Sequence, residues 1–416
     1  MKQRFLPLAA ILIIFLLLAG CGGGKSGSAT DKFKGATGGG EGDWTVLVYL
    51  NADNDLEPYG ILNFNQMEKV WSTDRLRIVV QMDRSPNYDR SNGNWTGCRR
   101  YLVAKDDDPD IMHSTLLQDM GEVDMGSPDT LRDFIRWGQE NYPASRYCLV
   151  IWNHGSGWRS AKTESLRAIP RNISFDDTSG TSIRTVDMPY ALSAASPQLD
   201  ILAMDASLMQ MLEVAYELRN STPLLVGSEE SPPGEGYVYD LWLSKLAAAP
   251  WMSAQELGKV IAQEYVNYYA QPEHAYPVTQ SLVDLSKVQD VAEAANDLAA
   301  AIIPHASTNA AALRTARQST QFYAFNFYKD LLDYASLVNQ LVPDPAISTA
   351  YTRLQSALSA AVIYEKHTGA DVDRSHGLSV YLTAPGEYPE YMSRYRNLSF
   401  CRDYPNWAAL IEAQKE

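Results

Sequence analysis

Two short stretches of the sequence carry side chains that could perform covalent chemistry. In "NHGSGW" (153–158) an apolar run ends just before His154 and Gly155, and in "MDASLM" (204–209) another ends just before Asp205 and Ser207. A histidine can move protons for a hydroxyl nucleophile, and glycines leave backbone N–H groups free to face an oxyanion. Alone, each residue has an ordinary explanation, a surface histidine or an N-cap serine. Their place after successive apolar runs favours a joint site.

The elements that would position these side chains alternate between two types. Continuous apolar runs separated by amphipathic stretches predict an α/β fold with a mainly parallel sheet covered on both faces. Chemistry in such folds lies beyond the carboxyl ends of the strands. The predicted strands are 45–50, 76–82, 147–152, 199–204 and 223–228, and the predicted helices are 56–71, 129–140, 187–195 and 208–219.

The N-terminus has the pattern of a secretory signal. Residues 1–20 combine Lys2 and Arg4 with a short apolar run, and "LAGC" ending at Cys21 resembles the lipobox of bacterial lipoproteins. The resemblance implies cleavage before Cys21 and lipid attachment to its sulfur. An ordinary signal peptide with an incidental cysteine is the alternative. Residues 21–43 are glycine-rich and predict a flexible tether, so we expect the folded part to begin at Trp44 and the protein to be anchored at the bacterial cell envelope.

Charge and cysteine content exclude several classes of protein. The formal net charge is −15, and loss of residues 1–20 would make it two units more negative, which argues against nucleic acid as a partner. The three remaining cysteines are too widely spaced for a disulfide framework or a zinc pattern. Cys148 lies in an apolar run and is expected to be buried, whereas a Cys98–Cys401 bridge stays open.

Two known site patterns do not fit the sequence. An α/β-hydrolase requires a G-x-S-x-G elbow, and neither Ser207 nor Ser156 has both glycines. The stretch "DNDLE" (53–57) begins like a calcium loop but lacks the glycine and the distant glutamate of an EF-hand.

Several ordered motifs resemble the clostripain family of peptidases, which are relatives of caspases. Besides "NHGSGW" and "DASLMQMLEVAYEL", they are "VLVYLNADNDLE" (46–57), "ISFDDTSG" (173–180) and "SEESPPGEGYVYD" (228–240). The similarity covers residues 44–240 and continues more weakly at 327–338. It implies a caspase-like α/β/α sandwich, with a peptidase core over 44–275 and a mostly helical C-terminal extension over 276–416 that completes the fold.

The resemblance also implies roles for individual residues. His154 corresponds to the catalytic histidine and Gly155 to the oxyanion-hole glycine. Asp205 would bind the Arg or Lys that precedes the scissile bond. Glu235 lies near the position where relatives carry a second acid of this pocket and would assist. No cofactor is expected, although a calcium-dependent family member leaves calcium open, with no residues assigned.

At the nucleophile position the family has cysteine and this chain has Ser207. A serine hydroxyl needs a base within hydrogen-bond reach as it attacks, whereas a cysteine works with less help. Two functions follow. One is a membrane-anchored endopeptidase that prefers Arg or Lys and is impaired by Ser207; the other is a catalytically silent relative that binds basic peptides or proteins.

Overall fold

The computed structural model describes residues 42–158 and 172–414, and all of them belong to one compact unit. The predicted signal peptide, the tether up to residue 41 and the lipidation site Cys21 lie outside the described residues.

The strands are numbered in chain order. They are β1 (Gly42–Ala52), β2 (Leu76–Arg84), β3 (Gly97–Leu102), β4 (Thr115–Gly121), β5 (Ala144–Trp152), β6 (Ile173–Asp176), β7 (Thr181–Ile183), β8 (Ile201–Asp205), β9 (Leu224–Gly227), β10 (Val278–Asp284), β11 (Tyr328–Asp330), β12 (Val362–Thr368) and β13 (Ser379–Tyr381).

Nine strands form the central sheet in the order β12-β10-β9-β8-β5-β1-β2-β3-β4. The five inner strands, β9, β8, β5, β1 and β2, run parallel. The outer pairs on both sides are antiparallel. Two further antiparallel pairs, β6 with β7 and β11 with β13, lie outside this sheet. Because the inner strands are parallel, their carboxyl ends meet at one edge.

The helices cover both faces of the sheet. They are α1 (Glu57–Glu68), α2 (Pro128–Asn141), α3 (Met188–Leu192), α4 (Leu212–Leu218), α5 (Tyr239–Ala248), α6 (Ala254–Tyr269), α7 (Val288–Ile302), α8 (Ala310–Ser319), α9 (Leu331–Leu341), α10 (Pro345–Ala361), α11 (Pro389–Tyr395), α12 (Ser399–Asp403) and α13 (Asn406–Ala413).

Two apolar clusters form the core, one on each face of the sheet. One contains Phe64 of α1, Trp242 of α5 and Ile261 of α6. The other contains Phe134 of α2 and Val291 of α7, together with most of the C-terminal helices. The arrangement is therefore the predicted α/β sandwich. The C-terminal part also supplies β10 and β12, so it extends the central sheet as well as covering it.

The predicted inner strands and helices are present, with shifted ends. Ser127 caps α2 by accepting a hydrogen bond from the Asp129 backbone N–H, as expected for a serine before Pro128. The helix predicted over 208–219 begins only at Leu212. Leu208 adopts φ +64°, in the left-handed region, and this conformation interrupts a helix at that point.

Two findings bear on expectations about cysteines and membranes. Cys98, Cys148 and Cys401 are all buried free thiols, so the bridge left open between Cys98 and Cys401 is absent. Among residues 42–158 and 172–414, none of the helices has the length and apolar character needed to cross a bilayer.

Candidate active site

The two stretches that carry the candidate catalytic residues leave the sheet side by side. β5 and β8 pair in parallel with Trp152 opposite Asp205. His154 follows Trp152 by two residues and Ser207 follows Asp205 by two, so the register places both beyond the same edge. The backbone N–H of Asn153 donates to the Asp205 carbonyl oxygen at 3.2 Å, which ties the two strand ends together.

His154, Asp205 and Ser207 line one cavity of about 140 Å³ at this edge. The remaining lining residues come from the β5 end, the loop before α1 and the loop after β9; they are Leu56, Trp152, Asn153, Pro232, Pro233, Gly234 and Gly236. Glu235 lies between two of these glycines, but its side chain is not part of the lining. Its backbone carbonyl accepts a hydrogen bond from Asn63 Nδ2 at 3.0 Å. The structure thus brings three of the predicted residues together and places Glu235 in the wall loop.

Ser207 occupies a tight turn between β8 and an extended stretch. The backbone N–H of Leu208 donates to the Glu230 carbonyl at 3.3 Å, and that of Gln210 donates to the Ser228 carbonyl at 3.0 Å. These bonds hold the turn against the loop after β9. Since α4 begins five residues after Ser207, its N-terminus does not supply the positive potential at the nucleophile position that a helix starting at 208 would supply.

Gly155 packs directly on the Ser207 turn. A Cβ atom at position 155 would lie 2.3 Å from the Ser207 carbonyl oxygen and 2.9 Å from its backbone nitrogen. Any other residue would therefore push the loop after β5 away from the turn. The close approach keeps the Gly155 backbone directly beside Ser207.

His154 has an acidic partner that the sequence did not indicate. Its Nε2 lies 2.6 Å from Oδ1 of Asp55, with 22% of the His154 side chain and 65% of the Asp55 side chain exposed. The loop carrying His154 is fixed by Asn153, whose Nδ2 donates to the carbonyls of Asn51 at 2.6 Å and Phe175 at 2.8 Å. Asp55 lies 99 residues before His154, and only the folded sheet brings the ends of β1 and β5 together.

Asp205 lines the cavity with only 4% of its surface exposed. The backbone N–H of Tyr237 donates to both carboxylate oxygens at 3.0 and 3.1 Å, and the Tyr239 hydroxyl donates to Oδ2 at 3.1 Å. Burial raises the pKa of Asp205 to about 7, against the lowering effect of these hydrogen bonds. Gly236, at φ +55°, allows this approach, because a Cβ there would lie 2.5 Å from Oδ1.

Comparison with protein families and curated proteins gives two matches. The model of the clostripain family matches residues 48–413. Clostripain of Hathewaya histolytica is 28% identical over 228 residues, which cover 49% of this chain and 42% of clostripain. The chain thus spans less than half the length of that curated relative.

Solved structures with the same fold include two proteases. One is a secreted C11 cysteine protease from Bacteroides thetaiotaomicron in complex with an irreversible peptide inhibitor, at 22% identity and a TM-score of 0.65, covering 87% of this chain and 98% of that one. The other is an inactive zymogen C11 protease from Parabacteroides distasonis, at 20% identity and a TM-score of 0.67, covering 88% of this chain and 99% of that one.

Proposed function

The chain belongs to the clostripain family, and on that premise we propose that it is an endopeptidase that prefers Arg or Lys before the scissile bond and is impaired by Ser207. The observation that carries the proposal is the shared cavity of His154, Asp205 and Ser207. A proton carrier, a hydroxyl and an acid converge there at the carboxyl ends of adjacent parallel strands.

The residues of the site support an acyl-transfer reaction. Ser207 Oγ would attack the peptide carbonyl carbon, and His154 would take the hydroxyl proton and pass it to the departing amine. Water would then release the acyl group from Ser207. The carboxylate of Asp55, 2.6 Å from His154 Nε2, favours the imidazolium that forms between these proton transfers. The backbone of Gly155, which packs on the Ser207 turn, would stabilise the oxyanion.

The preference for Arg or Lys rests on Asp205. It is a buried acid on the wall of the cavity, and a bound guanidinium or ammonium group would stabilise its charged form. Glu235 would act at the rim, since its neighbours Gly234 and Gly236 line the cavity and its side chain does not.

Impairment follows from the difference between a hydroxyl and a thiol. A serine must lose its proton to a base as it attacks, whereas a cysteine is partly ionised at neutral pH and is intrinsically more nucleophilic. The helix dipole gives no help here, because α4 begins at Leu212. The second candidate function follows from the same contrast: a silent relative that keeps the pocket and binds basic peptides without cleaving them.

The test compares three proteins on fluorogenic peptides that end in Arg, Lys, Leu or Asp: wild type, Ser207→Cys, and Ser207→Cys with His154→Ala. We expect Ser207→Cys to cleave after Arg and Lys with kcat/KM at least about 100-fold above wild type, and His154→Ala to lower it by about 10²–10⁴-fold. Activity that is equal after Leu and Arg would contradict the assignment of Asp205.

A Ser207→Cys variant as inactive as wild type would overturn the peptidase proposal. Titration of the wild type with labelled Arg- and Leu-containing peptides, followed by fluorescence anisotropy, would then decide on the alternative. Selective binding of the Arg peptide supports the binding protein, and binding of neither peptide rejects both functions.

We also propose that the protein acts outside the cytoplasm, anchored to the envelope through a lipid on Cys21. The signal-like residues 1–20 and the lipobox-like "LAGC" support this location. Its partners there would be peptides or proteins with basic residues and the membrane, and not nucleic acid.

A further inference from the structure

Three acidic residues from distant parts of the chain meet beside the candidate active site. Asp53 directly follows β1, Glu122 directly follows β4, and Asp176 ends β6. One carboxylate oxygen from each lies within 4.8 Å of the other two. Three carboxylates at this separation repel each other strongly unless positive charge lies among them.

The carboxylates are fixed in place and retain unused acceptor capacity. Asp53 is fully buried; its Oδ2 accepts a hydrogen bond from the Thr178 N–H at 3.0 Å, while its buried Oδ1 has no hydrogen-bond partner among the described residues. Asp176 is also fully buried and accepts from the backbone N–H groups of Met125 at 2.9 Å and Ser179 at 2.7 Å. A buried oxygen without a hydrogen-bond donor lowers the stability of the folded state. Oδ1 of Asp53 is therefore available to bind a cation.

A fourth acid, Asp83 of β2, faces the same region. It pairs in register with Asn51 of β1, two residues before Asp53, and with Cys98 of β3. Asp83 is fully buried, and in the described part of the chain neither of its oxygens accepts a hydrogen bond of normal geometry. Burial and the charges of Glu122, Asp176 and Asp53 raise the pKa of Asp83 to about 9. Within residues 42–158 and 172–414, no Lys or Arg forms an ion pair with any of the four acids.

We propose that Asp53, Glu122 and Asp176 bind one divalent cation, with the carboxyl group of Asp83 buried beside them. The donor set is entirely oxygen, which suits a hard cation and not zinc or copper. Ca²⁺ fits better than Mg²⁺, because it accepts irregular geometry and several carboxylates, whereas Mg²⁺ demands a near-ideal octahedron.

The cation would fix the frame of the candidate active site. Asp53 lies two residues before Asp55, the partner of His154, and Asp176 follows Phe175, whose carbonyl accepts from Asn153 and Asn54. A single ion would therefore join the loop after β1, the end of β4 and the β6–β7 hairpin. Its role is to position these segments, and it does not take part in the proposed reaction.

The test is made on the full chain after treatment with a chelator. Calorimetric titration with Ca²⁺ should show one saturable site, and Ca²⁺ should raise the melting temperature by several degrees, as expected for a ligand of the folded state at about 100 times its Kd. Mg²⁺ should raise the melting temperature less than Ca²⁺ does. Bound Tb³⁺ should luminesce on excitation of tyrosine, because the Tyr49 hydroxyl donates to the Met125 carbonyl, and the Met125 N–H donates to Asp176.

Two variants and a matched control locate the site. Glu122→Gln alters an exposed side chain and should leave the fold intact, and Asp53→Asn keeps an oxygen for the Thr178 N–H. Each should weaken Ca²⁺ binding at least about 10-fold. Asp107→Asn removes the same charge from an exposed position in the acidic turn 105–110. This control should change the Ca²⁺ affinity less than about twofold. Absence of saturable binding at millimolar Ca²⁺, or unchanged binding in Glu122→Gln, would overturn the proposal.

Discussion

Asp205, which we propose binds the basic side chain of the substrate, has a perturbed acid–base equilibrium. Its carboxyl group is buried, and burial raises its pKa to about 7. A protonated carboxyl is neutral and attracts a basic side chain only weakly. Discrimination between basic and neutral substrates should therefore depend on pH near neutrality.

We predict that selectivity increases as the pH rises through about 7. In the Ser207→Cys variant, the ratio of kcat/KM for an Arg peptide to that for a Leu peptide should grow by up to about 10-fold per pH unit below the pKa and level off above it. Using the ratio cancels any pH effect that acts equally on both substrates. The measurement is a pH series of both rates from about pH 5 to 9.

Tyr239→Phe provides the matched control for this profile. The Tyr239 hydroxyl donates to Asp205 and lowers its pKa, so its removal should shift the midpoint of the ratio to higher pH. A ratio that stays flat across the series would show that the charge of Asp205 does not select the substrate.

Single residues differ in how far the sequence predicts them. His154, Asp205 and Ser207 were predictable because each lies at the end of an apolar strand or two residues beyond it, and parallel strands bring such positions together. Asp55 was not, because its contact with His154 depends on the path of the loop after β1 and on the pairing of β1 with β5. The acids at 53, 122 and 176 were missed for the same reason: they are close only in the folded chain.

At the scale of elements, the inner parallel strands were predicted and the outer antiparallel strands β3, β4, β10 and β12 were not. β1, β2, β5, β8 and β9 each contain an apolar run, as expected when both faces of a strand are covered. β3 is mostly buried but is interrupted by Arg99 and Arg100, and β4, which forms an edge of the sheet, has no buried residue. An edge strand has solvent on one side and needs no apolar run, so its sequence resembles that of a loop.

The turn after β8 illustrates a local conformation that a hydrophobic pattern cannot reveal. Residues 208–219 have helical periodicity, yet Leu208 adopts φ +64° and Met211 bridges to Ser379 before α4 begins. Contacts with the C-terminal part thus hold residues 208–211 in a non-helical conformation. The N–H and hydroxyl of Ser379 both donate to the Gln210 carbonyl, although the two residues are 169 positions apart. Such a distant contact helps to fix the path of the chain after Ser207.

For the whole molecule, the C-terminal part is integral to the fold that holds the site. β10 lies beside β9, and β12 forms the edge of the central sheet. The buried carboxylate of Glu213, on the helix that follows the nucleophile position, accepts hydrogen bonds from the Tyr381 N–H at 2.9 Å and the Tyr395 hydroxyl at 2.7 Å. The C-terminal part therefore both extends the central sheet and packs against the helix that follows Ser207.

The proposed position of the whole molecule, at the cell envelope, rests on lipid attachment to Cys21. We predict that cells expressing the wild type incorporate an alkyne-tagged fatty acid into the protein, and that Cys21→Ser abolishes the label. Cys98→Ser is the matched control, because it removes a thiol that is buried in the fold. Equal labelling of Cys21→Ser and wild type would reject the lipid anchor, as would a Cys21→Ser protein that remains membrane-bound with unchanged mobility.

The most direct test of the central claim is covalent labelling of the Ser207→Cys variant. A peptide halomethyl ketone ending in Lys should modify the variant once, at position 207, whereas a Leu reagent should react far more slowly. Burial raises the thiol pKa of Cys98, Cys148 and Cys401, so these cysteines should stay unmodified. Peptide mapping by mass spectrometry identifies the labelled residue. An adduct at position 207 that depends on the Lys side chain is the predicted result; labelling elsewhere, or at equal rates with the Leu reagent, would contradict the assignment of the nucleophile position and its basic pocket.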